Sequence, residues 1–276
     1  SGIVMARWLQ GLVLNQMSSK GIWHAGLSCR SFISNRKGQD MSQKRTIELT
    51  CPMCGKPAPF TLWDSVNNVL NPELEEQLLK NTFALFSCPH CGGQNYVAYD
   101  FLYHDMQKGW MIYLLHSREE KDREKVNASL ERMYRLLDGK LGHTMHPYSF
   151  RLVHTLDGMR EKIIILHDDL DDRIVEISKL FIRERLKNDH VEALALRYGW
   201  GAVDGKQQPV MYVFEAGGKM GMVPYTRQLY DVLESFFKLG QDADGTVYEE
   251  IDEAWAADMI RKYGGGLSGN SSPHIH

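Results

Sequence analysis

Apolar and polar positions alternate over 45–50, RTIELT, and the run ends directly on CPMCG at 51–55, so this segment reads as a strand entering a turn built on two cysteines. The 33 residues at 55–87, between this cysteine pair and its counterpart in CPHCGG at 88–93, are not a plain hairpin. FTLWDSVNN is extended by pattern, whereas NPELEEQLLKNT carries Asn71 at a cap position, Pro72 at the first helical position and acids in the first turn. A short helix is therefore expected between the two cysteine pairs. After the second pair, QNYVAYDFLYHD and WMIYLLH read as two strands joined at Lys108 and Gly109.

From Ser117 the pattern changes to SREEKDREKVNASLERMYRLLDGK, a strongly charged helix in which Ser117 and Glu120 have the spacing of a capping box. The loop LGHTMHPYS marks a boundary. Beyond it FRLVHT is a strand, LDGMREKIIILH a helix, and DDLDDRIVEISKLFIRERLK a second helix that opens in acids. ALALRYGW and VMYVFEAGGKMGMVPY are strand-like, the latter a hairpin turning at Gly217 and Gly218. Two helices close the chain, in TRQLYDVLESFFKLG and YEEIDEAWAADMIRKYGG. This order predicts an α+β protein without the strict alternation of a doubly wound sheet. The expected division is a doubtful leader at 1–40, a zinc-ribbon-like module with a helical insertion at 41–116, a charged helix and loop at 117–147, an α+β domain at 148–265 and a tail at 266–276.

Charge sharpens the division. The 276 residues carry 32 Lys and Arg against 35 Asp and Glu, a net −3. Residues 1–40 hold Arg7, Lys20, Arg30, Arg36 and Lys37 against Asp40 alone, a balance of +4 that leaves −7 for the rest. An acidic body repels a phosphate backbone, which counts against nucleic acid as a general partner. No run of about 18 apolar residues is present, so no membrane span is expected. The leader is rich in Ser and Arg, which is the composition of a transit peptide. RKGQD before Met41 also fits codons of a purine-rich ribosome-binding sequence, which favours Met41 as the start.

Two Cys-Pro-X-Cys-Gly elements supply four thiolates, Cys51, Cys54, Cys88 and Cys91, the number a tetrahedral zinc ion takes. Pro after each first cysteine and Gly after each second favour a tight turn whose amides face the sulfurs. A closed site of this kind is structural, since no ligand position remains for water. With few apolar residues near the pairs, the module is expected to draw much of its folding free energy from the metal. Cys-Pro-His-Cys is also the spelling of a disulfide oxidase, but Gly92 and Gly93 argue against a helix starting after Cys91, and one redox pair leaves the other unexplained. Five cysteines, four of them so regularly placed, suit a reducing cytoplasm better than a secreted disulfide scaffold.

With these motifs, and with NPELEEQLL, YHDMQKGWMIYL and RLVHTLDGMREKIIILHDDLDDRIVEISKL, the sequence resembles the bacterial CpXC family from about Thr46 to about Tyr263. The resemblance implies a prokaryotic cytoplasmic protein. It carries over no catalytic residue and no activity.

Other clusters have plainer readings. Asp168, Asp169, Asp171 and Asp172 are hard oxygen ligands for Mg²⁺ or Ca²⁺, but they lack the spacing of a calcium loop and suit a helix N-terminus better. Arg160, Glu161 and Lys162, facing Arg173, Glu176 and Lys179, have the makings of an ion-pair network between two antiparallel helices. His104 beside Asp105, and His143 with His146, are accompanied by no nucleophile motif, and the glycines of GGKMG and GWGAVDGK fall at hairpin turns rather than in a phosphate loop. The function expected is a zinc-binding interaction module with a protein or small-molecule partner. The alternatives are an enzyme with a pocket between the domains and, further off, a thiol oxidoreductase.

Overall fold

The computed structural model describes residues 22–24, 43–141, 148–240 and 247–263. Most of the leader, with Cys29 and Met41, lies outside the described residues, as do His143, His146 and the tail. The chain forms two compact units, Ser1–Arg160 with Asp242–Glu249, and Glu161–Gln241 with Glu250–His276. Among the described residues no helix is long and apolar enough to cross a membrane.

In the first unit, β1 (Ile22–His24) is followed by the antiparallel pair β2 (Lys44–Thr50) and β3 (Pro57–Trp63), whose ladder runs from Lys44↔Trp63 to Thr50↔Pro57. The short β4 (Ser65–Asn67) leads to α1 (Pro72–Leu79), which buries Leu74 and Leu78, one turn apart. Asn71 occupies the cap position of α1 but makes no capping bond: its amide donates to Glu73. Asn81, at φ 58°, takes the left-handed turn that ends the helix. β5 (Leu85–Ser87) and β6 (Gln94–Ala98) then form a second antiparallel pair, with β1 parallel to β6 on its other side.

The expected long strand over 94–105 is two strands. Tyr99 and Asp100 end β6, and β7 (Phe101–Asp105) starts in a different sheet, ordered β4-β7-β8-β9 with β8 at Trp110–Leu114 and β9 at Ser149–Val153. β9, grouped by sequence with the C-terminal segment, pairs in parallel with β8. Glu249 prolongs this sheet through a parallel bridge to Arg151. One face packs Met111, Tyr113, Phe150 and Leu152 against Val126 and Leu130 of α2 (Glu120–Leu141) and against Tyr248.

The capping box expected at Ser117 does not form. The Ser117 hydroxyl accepts from the Glu119 amide and donates to Asp122, and the helix begins only at Glu120. A local Ser turn has taken the bonds a cap would have made. The division between the units falls within α3 (Leu156–His167), between Arg160 and Glu161.

The second unit holds the rest of α3, α4 (Asp172–Asn188), the strands β10 (Ala193–Val203), β11 (Lys206–Glu215) and β12 (Met220–Pro224), then α5 (Arg227–Phe237) and α6 (Glu253–Tyr263). Asp204 and Gly205, both at positive φ, make the tight turn between β10 and β11, so the Gly of GWGAVDGK does serve a hairpin. β12 follows around Gly217 and Gly218, also at positive φ. Ile174, Ile177, Leu196, Tyr198, Met211, Val213, Tyr230, Leu233 and Ala256 belong to one buried core. The chain is thus a mixed α+β protein, as the order of elements predicts.

Candidate metal centre

Each cysteine pair sits in the turn between two antiparallel strands, and the two turns are built alike. In the first, the Gly55 amide donates to Cys51 O at 2.8 Å and the Cys51 amide to Lys56 O at 2.9 Å. In the second, the Gly92 amide donates to Cys88 O at 2.9 Å and the Cys88 amide to Gly93 O at 2.8 Å. Gly55 and Gly92 have φ of +70° and +71°. That left-handed backbone explains why glycine follows the second cysteine in both motifs, since a Cβ there would be strained even though nothing crowds it.

The turns meet. Cys51 Sγ lies 3.7 Å from Cys91 Sγ, Cys54 Sγ lies 3.7 Å from Cys88 Sγ, and all four sulfurs fall within 4.8 Å of one another. None is in a disulfide. Cys51 and Cys88 are buried, Cys54 is partly covered and Cys91 is exposed. The turns are also joined by His90, whose Nε2 is 3.1 Å from Pro57 O.

The electrostatics of the group favour a cation. Burial opposes ionisation of Cys88, but the amides of His90 and Cys91 and the thiols of Cys51 and Cys91 outweigh it and bring this thiol down to about 6. Cys91 is helped by the amide of Gly93, but burial and the three neighbouring thiols push it up to about 12. Negative charge thus enters the cluster easily at first and with difficulty afterwards, a conflict that a cation among the sulfurs relieves.

The surroundings of the pairs correct one expectation. Apolar residues are not scarce there: Phe60 of β3, Phe83, Phe86 of β5, Tyr99 and Phe101 form a chain of ring contacts with centroids 4.8 to 6.5 Å apart. Sequence gave little sign of it, because these rings lie on separate segments and only the pairing of the strands brings them together.

The other sequence candidates have separate partners. Asp168 accepts from Tyr198 and from Trp200 Nε1, Asp171 caps α4 through the Arg173 amide and pairs with the Arg173 guanidinium, and Asp172 is buried against Lys162. The cysteines are the only group of three or more potential ligands close enough for a metal among the described residues. His104 is buried, with Nε2 3.1 Å from the Tyr148 hydroxyl, and burial pushes it down to about 4 with Asp105 offsetting a part. Asp105 accepts from the amides of Gln107 and Lys108 and from the Asn68 side chain, which shapes the turn into β8.

The ion network expected between α3 and α4 forms with Glu161, Lys162, Glu176 and Lys179 as expected, takes in Asp172, and leaves out Arg160 and Arg173. Lys162 pairs with Asp172 and Glu176 at 2.8 and 3.3 Å, and Lys179 pairs with Glu161 and Glu176 at 2.8 Å each. All five side chains are buried. Arg173 instead joins Asp171, and Arg160 joins Asp157 and Asn81 in the first unit. The network also reaches beyond the helices, since Glu161 accepts from the Tyr198 amide and Lys162 donates to Ile251 O.

Fold and centre together define an α+β protein with a four-thiol cluster compatible with a metal site. Residues 49–179 match the family model described as CpXC protein, and that stretch is consistent with a CpXC domain. The span takes in all four cysteines and ends on Lys179 of the buried network. Neither a curated protein nor a solved structure matches the chain.

Proposed function

We propose that this is a zinc-binding interaction module of a bacterial cytoplasm, in which Cys51, Cys54, Cys88 and Cys91 hold one structural Zn²⁺ in a zinc-ribbon-like pair of turns. The sulfur spacing carries the reading. A tetrahedral ion with Zn–S bonds of about 2.3 Å puts its sulfurs about 3.8 Å apart, and the two cross-turn pairs stand at 3.7 Å. Thiolate ligands in this number select zinc over the hard cations that prefer oxygen.

Four protein ligands close the coordination sphere, so the ion orders the turns rather than acting on a substrate. What remains for the module is recognition of a protein or a small molecule. The net charge of −3 weighs against a nucleic-acid partner.

Elemental analysis of protein purified without reductant tests the site, together with Co²⁺ substitution, which gives visible bands diagnostic of a tetrahedral thiolate centre. Stoichiometric zinc and loss of the cobalt bands in Cys88→Ser are expected. Protein free of metal, with a reversible disulfide inside each Cys-X-X-Cys pair, overturns the reading in favour of thiol redox chemistry.

A further inference from the structure

We propose that Cys91 is a modification site at which a hydroperoxide oxidises the four-thiol centre, and that the first disulfide joins Cys91 to Cys51 and opens the centre. This rests on the metal reading above. An asymmetry in the four thiols points to it.

Cys51 and Cys88 are 1% and 3% exposed, whereas Cys91 is on the surface. The chain beside Cys91 adds no cover. A Cβ on Gly92 would meet nothing within 4 Å, so no other segment of the described chain crowds the position that follows Cys91. Gly93, on the other side, is approached by Met53: a Cβ there would stand 2.5 Å from Met53 Sδ and 3.3 Å from Cys91 Sγ. Met53 is itself 71% exposed and therefore a movable cover. An oxidant arriving from solvent meets Cys91 before it can meet Cys51 or Cys88.

The second step follows from distance. The buried Cys51 sulfur lies 3.7 Å from Cys91 Sγ, and the other 3.7 Å contact, Cys54 to Cys88, also crosses between the turns. Cys91, a thiolate only when it ligates the ion, attacks the distal oxygen of the hydroperoxide, the O–O bond breaks, and the leaving alkoxide or hydroxide takes up a proton. The Cys91 sulfenic acid is then attacked at sulfur by the Cys51 thiolate, an S–S bond forms and hydroxide leaves. Two electrons pass from two thiolates to the hydroperoxide. The centre is left with two of its four ligands, too few to retain the ion against a chelator.

The test uses the full chain with Cys29→Ser, so that the four centre cysteines are the only thiols. Its zinc content is measured first, which decides the metal reading independently. Hydrogen peroxide is then added in stoichiometric amount, released zinc is followed with a chelating dye, and disulfides are mapped by peptide mass spectrometry. Stoichiometric zinc release accompanied by a Cys51–Cys91 linkage, reversed by a dithiol, is the expected result. Retained zinc with oxidation confined to Met53 overturns the proposal and leaves the metal reading standing. A first disulfide within either turn, Cys51–Cys54 or Cys88–Cys91, overturns it as well.

Discussion

Lys162 Nζ lies 2.8 Å from Asp172 Oδ2, and both side chains are closed off from water, at 4% and 0% exposure. Removing an ammonium and a carboxylate from water is expensive, so the pair persists only because its remaining bonds are made. Lys162 also reaches Glu176 and donates to Ile251 O at 2.7 Å. The contact with Ile251 ties the chain just before α6 to α3 within the second unit.

Breaking this pair from one side strands the other charge. Lys162→Met is expected to destabilise the protein by about 3–5 kcal/mol, and Asp172→Asn by a comparable amount. The combined replacement Lys162→Met with Asp172→Asn should cost less than the two single changes added together. Denaturant unfolding of the four proteins, treated as a double-mutant cycle, checks this.

The neighbouring acids offer a contrast. Asp171 is a partly exposed cap whose carboxylate accepts from the Arg173 amide at 2.9 Å. Asp171→Ala should cost about 1 kcal/mol, well below the Asp172 change one residue on. Calorimetric titration of the parent protein with Mg²⁺ or Ca²⁺ should give no heat assignable to these acids, since they turn to separate partners.

Stability should fall away at both ends of the pH scale. Burial alone would raise Glu161, but Lys179 and Arg197 hold it below its ordinary 4.5. Its contribution is present above that value and lost as pH falls through the lower, folded one. Burial alone would lower Lys162, but Asp172 and Glu176 hold it above 10.5, so its contribution is present below 10.5 and lost as pH rises through the folded value. His104 adds an earlier acid limb. The unfolded chain takes its proton near 6.5 and the folded one only at about 4, so stability declines as pH falls between the two. His104→Gln should remove that limb and leave the lower one, measured as denaturation midpoints from about pH 2 to 8.

The glycines of the two turns should separate by mechanism. Gly55→Ala and Gly92→Ala force a Cβ into positive φ and are each expected to cost about 1 kcal/mol, weakening metal retention against a chelator. Gly93→Ala meets the flexible, exposed Met53 side chain at 2.5 Å, which can move aside, and stands 3.3 Å from Cys91 Sγ, so its cost to folding stays small and any effect falls on the position of that sulfur. Competition with a zinc chelator ranks the three variants.

Loss of the metal should loosen the first unit without abolishing it. The rings of Phe60, Phe83, Phe86, Tyr99 and Phe101 are packed in the same region as the cysteine turns and remain apolar whatever the state of the sulfurs. Chelation is therefore expected to lower the melting temperature while leaving far-UV circular dichroism largely intact. Complete unfolding on chelation would contradict the part assigned to this cluster.

The four cysteines, their Pro and Gly neighbours, the helix after Asn71 and the hairpin at Gly217 were legible along the chain, because each is a local pattern whose meaning depends on residues a few positions away. The same holds for the glycines at +70° and +71°, where a backbone conformation dictates the residue. Non-local features were not legible in this way. Sequence pointed to Arg160 and Arg173 as members of the α3 to α4 network, yet those arginines found closer carboxylates in Asp157 and Asp171, and Asp172, read as a capping acid, took the buried place beside Lys162. Ser117 spent its hydroxyl on Glu119 and Asp122 before it could cap α2. Which carboxylate a cation meets, and which rings stack, depends on distances set by strands and helices far apart in the chain. Only the tertiary structure fixes those distances, and with them which charges are buried and which of the four cysteines is the most exposed.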